Sequence, residues 1–157
     1  MAKKDLFQKP FDEGTIDKLE IFEDYFKEWL PVFISRKEII WNKIQIFDFF
    51  AGEGKDINGV EGSPLRILNV LNQNKALILQ SNVKINVIIN EFEKEKYDLL
   101  IQNLKLIWDE SIYNVDFLNQ DFSIVFNKYY ESSRQTANFL FLDQNGIKQI
   151  TEGCLQS

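Results

Sequence analysis

Histidine is absent from this chain, and cysteine occurs once, as Cys154. One cysteine cannot close an internal disulfide or build a cysteine-cluster metal site. Without histidine, zinc hydrolysis and histidine-based triads lose their usual residues, so no metal site is expected. Acid–base chemistry would fall to carboxylates, lysines and tyrosines. Cys154 has no base or partner near it in sequence, and an inert thiol is the expectation. No apolar run approaches the roughly eighteen residues needed to span a bilayer. The basic pair in Met1-Ala2-Lys3-Lys4-Asp5 lacks the apolar stretch of a secretory signal. The expectation is a cytoplasmic protein without a membrane partner.

Basic residues are also in deficit, 18 against 24 acids, for a net charge of −6. That balance favours solubility and argues only mildly against tight nucleic-acid binding, leaving a nucleic-acid partner open but unsupported by charge. Lys94, Lys96 and Lys105 alternate with acids and read as a solvated helix face rather than a phosphate track. What the chain does have is apolar mass: 45% of its 157 residues, including fourteen Phe and three Trp. Such a composition folds around a core, and this length suits one domain over residues 1–157. Trp29 and Trp41 are expected in that core.

The lead-in carries Phe7 and Phe11 as candidate anchors. Thr15 is the expected N-cap of a helix over residues 15–34, where Ile16, Leu19, Phe22, Phe26, Leu30 and Phe33 recur at helical spacing. Pro31 should kink or break it. Ile44–Phe50 predicts a strand buried on both faces. Ser63-Pro64 predicts a helix start, Val83–Ile89 a second strand, and Glu93–Trp108 a second crossover helix. Ile112–Val115 is expected as a third strand closing on Asp116, with a helix over Phe117–Glu131. Asn138–Leu142 is expected as a fourth strand ending on Asp143, and the tail from Ile147 as the start of another helix. Strands alternating with helices over 44–143 predict an α/β fold: a parallel sheet with helices on both faces.

The run Phe47-Asp48-Phe49-Phe50-Ala51-Gly52-Glu53-Gly54 is a buried strand that passes an acid and enters a glycine turn. Glycines let backbone approach a ligand, and a following helix N-terminus offers unpaired N–H groups. Such a strand–turn–helix suits an adenosine-containing cofactor. The long interval from Gly54 to Gly62 counts against a dinucleotide. In open α/β sheets ligands bind beyond the strands' carboxyl ends. Asp48, Glu91, Asp116 and Asp143 would converge on that rim.

These residues resemble the three-Cys-motif partner family, which is similar to S-adenosylmethionine-dependent methyltransferases. The similar segments are Lys18–Ile21 through Trp29-Leu30-Pro31, Asp48–Gly54, Gly62-Ser63-Pro64-Leu65 and Phe139–Gly146. The resemblance implies a Rossmann-like methyltransferase-type domain that binds S-adenosylmethionine. Asp48, Phe50, Ala51, Gly52 and Gly54 would line the cofactor, Glu91 would accept from the ribose hydroxyls, and Asp116 with Phe117 would lie by the adenine. Asp143 would be the catalytic position, although Gln144-Asn145 stands where the family has Pro-Phe. It further implies a three-cysteine-motif partner protein, and a sheet truncated after its fourth strand.

The same residues admit a plainer reading. Asp116 could cap a helix beginning at Phe117, Asp143 could open a turn through Asn145-Gly146, and Glu91 could be a solvated strand-end acid. A degenerate methyltransferase fold acting as a non-catalytic docking module is the alternative function. A sheet edge left open would then serve partner docking or homodimerisation.

Overall fold

A computed structural model describes residues 10–35 and 41–142. The order is α1 (Glu13–Ile34), β1 (Lys43–Asp48), α2 (Ser63–Gln73), α3 (Lys75–Gln80), β2 (Lys84–Asn90), α4 (Lys94–Lys105), β3 (Asn114–Leu118), α5 (Phe122–Ser133) and β4 (Ala137–Phe141). The four strands form one sheet in the order β3-β2-β1-β4, and every pairing is parallel. The protein is therefore α/β with helices on both sheet faces, as the alternation predicts.

Side-chain alternation assigns the faces. Ile44, Ile46, Val87 and Ile89 point to one face, where they meet Phe26 and Leu30 of α1, Leu65 and Leu68 of α2, and Leu100 and Leu104 of α4. Phe47, Phe49 and Ile88 point to the other and meet Phe122, Val125 and Tyr129 of α5. The crossover to β4 thus changes sides, leaving four helices packed on one face, α3 through Ile78, and α5 on the other. Leu68 is fully buried. Truncating such a leucine to alanine costs about 2–5 kcal/mol.

Several boundaries differ from the periodicity. Asp12, not Thr15, caps α1: its carboxylate accepts the Thr15 N–H at 2.7 Å. The helix runs through Pro31 for one more turn to Ile34. Proline disfavours the helix mainly through its missing N–H and its clash with the preceding turn, so it is better tolerated near an end. The third strand begins at Asn114 rather than Ile112. Ile112 and Tyr113 are buried, but Ile112 donates its N–H to Asp109 O in a turn. Asp116 is consequently mid-strand, and α5 starts at Phe122, capped by Asp121. Trp29 packs against the core as expected, whereas Trp41 is 39% exposed. Phe7, Asp143 and the tail from Ile147 lie outside the described residues.

Candidate functional site

The parallel sheet brings the carboxyl ends of its strands to one pole. There β1 ends on Asp48, and the chain turns through Gly52 (φ 70°) and Gly54 (φ 100°). Both angles lie where a side chain would be strained. A Cβ on Gly52 would meet nothing within 4 Å, so that glycine faces open space. A Cβ on Gly54 would lie 3.3 Å from the Asn103 side chain of α4. Gly62, just before α2, donates its N–H to Gly54 O at 2.7 Å, and a Cβ there would come within 3.0 Å of that oxygen. The two glycine groups are thus packed against each other.

Asp48 is almost wholly buried, and Ser63 Oγ donates to its Oδ2. Ser63 is the first residue of α2 and Pro64 follows it. A carboxylate therefore stands at the positive end of this helix, the place where a dinucleotide fold seats a phosphate. An anion brought to the same end would meet that charge.

Beside the turn, Glu91 is buried and already engaged. Its Oε1 accepts the Gly52 N–H and its Oε2 the Glu93 N–H, each at 2.8 Å. A carboxylate offers about four acceptor sites, so about two remain for other donors. Its neighbour Asn90 clasps two loops: Nδ2 donates to Phe49 O at 3.2 Å and to Gln120 O at 3.0 Å, while Oδ1 accepts the Gln120 N–H. Ala51 N–H donates to Asn90 O at 3.0 Å. Burial pushes the Glu53 carboxyl above its usual range; Lys96 draws it down, while Asp56 and Glu91 add to the rise. The Glu53 carbonyl accepts from Asn103 Nδ2 at 2.7 Å.

Asp56 organises the rest of the loop. Burial would raise its carboxyl, but N–H groups of Phe11, Val60 and Asn58, at 2.8–2.9 Å, bring it below the usual value. Through Phe11 it ties the segment before α1 to the loop before α2. The Phe11 ring also lies against Gly62. Phe11 is therefore an anchor, as expected from sequence, and its partner Asp56 lies 45 residues away. The string Asp56-Ile57-Asn58-Gly59 carries the relevant signal, an Asx-type turn with glycine at positive φ.

The remaining expected site residues are dispersed. Phe50 is half-buried and stacks on Phe122 with ring centroids 5.5 Å apart, toward α5. Phe117 packs on the opposite face, edge-on to Trp108 at 5.7 Å. The expectation that Asp116 joins the strand tips is corrected. It sits on the α5 face, where Tyr129 Oη donates to it at 2.9 Å, as do Asn86 Nδ2 and Asn114 Nδ2. The Tyr129 hydroxyl is held protonated by burial first, and by Asp116 second. Asp116 does not cap α5 either; Asp121 does. The expected catalytic residue, Asp143, lies outside the described residues.

Asp48, Ala51, Gly52, Gly54 and Glu91 are therefore brought together, and Ser63, Asn90, Asp56 and Asn103 support them. An open groove of about 380 Å³ lies at the opposite pole, between Ile78–Lys84 and Glu110–Asn114, and does not reach this cluster. Among the described residues, no group of three or more acids or thiols is placed to hold a metal ion, and no helix is long and apolar enough to cross a membrane.

An all-parallel sheet ordered β3-β2-β1-β4, with a glycine turn after β1, defines the Rossmann-like class. No protein-family model, curated protein or solved structure matches this chain.

Proposed function

We propose that this chain is a methyltransferase-type domain that binds S-adenosylmethionine over the turn after β1. The observation that carries the reading is the buried Asp48 carboxylate at the N-terminus of α2, beside an open Gly52. A nucleotide ligand with a pyrophosphate would bring like charge to Asp48. S-adenosylmethionine instead brings a sulfonium and an ammonium against one carboxylate, a net cation. Glu53, Asp56 and Glu91 deepen the negative potential at the same pole, consistent with a cationic ligand. The remaining acceptor sites of Glu91 suit ribose hydroxyls, the role that the resemblance implies.

When bound, the cofactor supplies an electrophilic methyl group. The protein's share would be to fix its orientation and exclude water. Asp48 anchors the turn through Ser63, and Asn90 holds the loops after β1 and β3 in register.

One observation favours the second reading, a docking module that keeps the fold without the chemistry. Both Glu91 oxygens already hold the backbone, so Glu91 has a structural task that needs no ligand. Calorimetric titration with S-adenosylmethionine and S-adenosylhomocysteine separates the two. Saturable heat that falls at least about tenfold in affinity for Asp48→Ala supports the cofactor reading. No heat with the intact protein leaves the docking module, and affinity indifferent to Asp48→Ala moves the site elsewhere.

A further inference from the structure

We infer that the outer face of α1 is a docking surface for a basic amphipathic helix of a partner protein. The inference is independent of the cofactor reading. Ile21, Tyr25 and Val32 are 66%, 63% and 44% exposed, although all three lie on a helix whose inner side is firmly packed. At 3.6 residues per turn they fall within an arc of about 40° and form a stripe about 16 Å long. Tyr25 rests one side of its ring near Phe139, with centroids 5.8 Å apart, which fixes the stripe relative to the sheet.

The flank of the stripe carries the charge. Glu28, Asp17 and Asp24 occupy the next 40° or so of the same helix, and all three are exposed. Among the described residues, none of the three pairs with a cation; the ion pairs of α1 both use Glu23, with Lys27 and Arg66. Across α1, six acids stand against two lysines, a net −4 on a chain whose total is −6. Three of those six acids line one flank of the stripe, and the exposed Lys18 borders the other.

That combination selects among occupants. A second copy docking through the same face would be isologous and would bring the acidic flank of Asp17, Asp24 and Glu28 into the interface from both sides. Like charges juxtaposed in this way are unfavourable. An anionic membrane surface would be repelled for the same reason. A helix with leucine-like residues along one stripe and Lys or Arg along its edge satisfies both halves of the surface. It would cover Ile21, Tyr25 and Val32 and pair with the acidic flank.

The probe is a fluorescein-labelled amphipathic peptide of Leu and Lys at helical spacing, with a Leu/Glu peptide of the same pattern as control. Binding is read by anisotropy at low and high salt. The Lys peptide should bind saturably and weaken with salt, and the Glu peptide should not bind. Ile21→Ser and Asp24→Lys should each weaken it about tenfold, while Glu110→Lys, an equal charge change elsewhere, should cost less than about twofold. These exposed substitutions should leave thermal unfolding unchanged. Absence of saturable binding, indifference to Ile21→Ser, or equal loss with Glu110→Lys would overturn the inference. So would sedimentation showing a dimer that Ile21→Ser dissolves, because a second copy would then be the occupant.

Discussion

The Gly52 N–H donates to Glu91 Oε1 at 2.8 Å, so the turn that follows β1 is held by the residue that follows β2. The other oxygen of Glu91 holds the Glu93 N–H. Removing the carboxylate leaves two part-buried donors without partners, at about 1–3 kcal/mol each. Glu91→Ala should therefore lower urea stability by about 2–6 kcal/mol. Glu91→Gln keeps one acceptor oxygen and should lose about half as much. Hydrogen exchange at Gly52 should accelerate in both variants, and a Gly52 amide unmoved by Glu91→Ala would refute the link.

Ser63→Ala removes the hydroxyl donor to Asp48 and leaves a buried carboxylate one partner poorer. Hydrogen bonds to charged groups contribute about 1.5–3 kcal/mol, so a loss in that range is expected in chemical denaturation. Affinity for S-adenosylmethionine should fall with it, because Ser63 acts through the placement of Asp48. A variant of full stability and full affinity would show that the pair is incidental.

Glu53 gives a pH signature of opposite sign to most carboxylates. Its folded pKa is raised above 4.5, so the native state holds its proton more tightly than the unfolded chain does. Stability contributed by this group is present below its unfolded pKa and is lost as pH rises through the folded value. Glu53→Gln should therefore stabilise the protein at neutral pH and change little below about pH 4. Thermal melts across that range check the sign; destabilisation at pH 7 would contradict it.

Asp56 runs the other way. Its carboxyl is lowered from 3.8, so its contribution is present above the unfolded value and is lost as pH falls through the folded one. Asp56→Asn keeps one acceptor oxygen but removes the charge from three N–H contacts. The Phe11 amide should lose protection in hydrogen exchange, and the loop before α2 should loosen with it. Protection of Phe11 that persists in this variant would detach the N-terminal segment from the loop.

The fold was legible because two signals agreed. Near-continuous apolar runs at Ile44–Phe50 and Val83–Ile89 alternate with helical spacing at Leu65–Leu71 and Tyr97–Ile107, and that alternation fixes parallel crossovers. Boundaries were less legible, since burial and strand geometry are different things. Ile112 and Tyr113 are buried ahead of the strand, Ile112 in a turn, so the apolar run began before the strand did. That two-residue offset carried Asp116 from a supposed strand tip to mid-strand. At the site, the glycines and Asp48 could be read because φ and strand-end chemistry are local. The contacts of Glu91 with Gly52, of Asn90 with Gln120 and of Asp56 with Phe11 join residues 30 to 45 apart, and no local pattern encodes such partners.

Amide chemical-shift mapping of the isotopically labelled chain, titrated with S-adenosylmethionine, tests the cofactor reading most directly. Saturable shifts at Gly52, Gly54, Glu91 and Ser63, with the groove around Ser81 and Asn114 unmoved, are the predicted result. Shifts confined to that opposite groove, or none at saturating ligand, would contradict it.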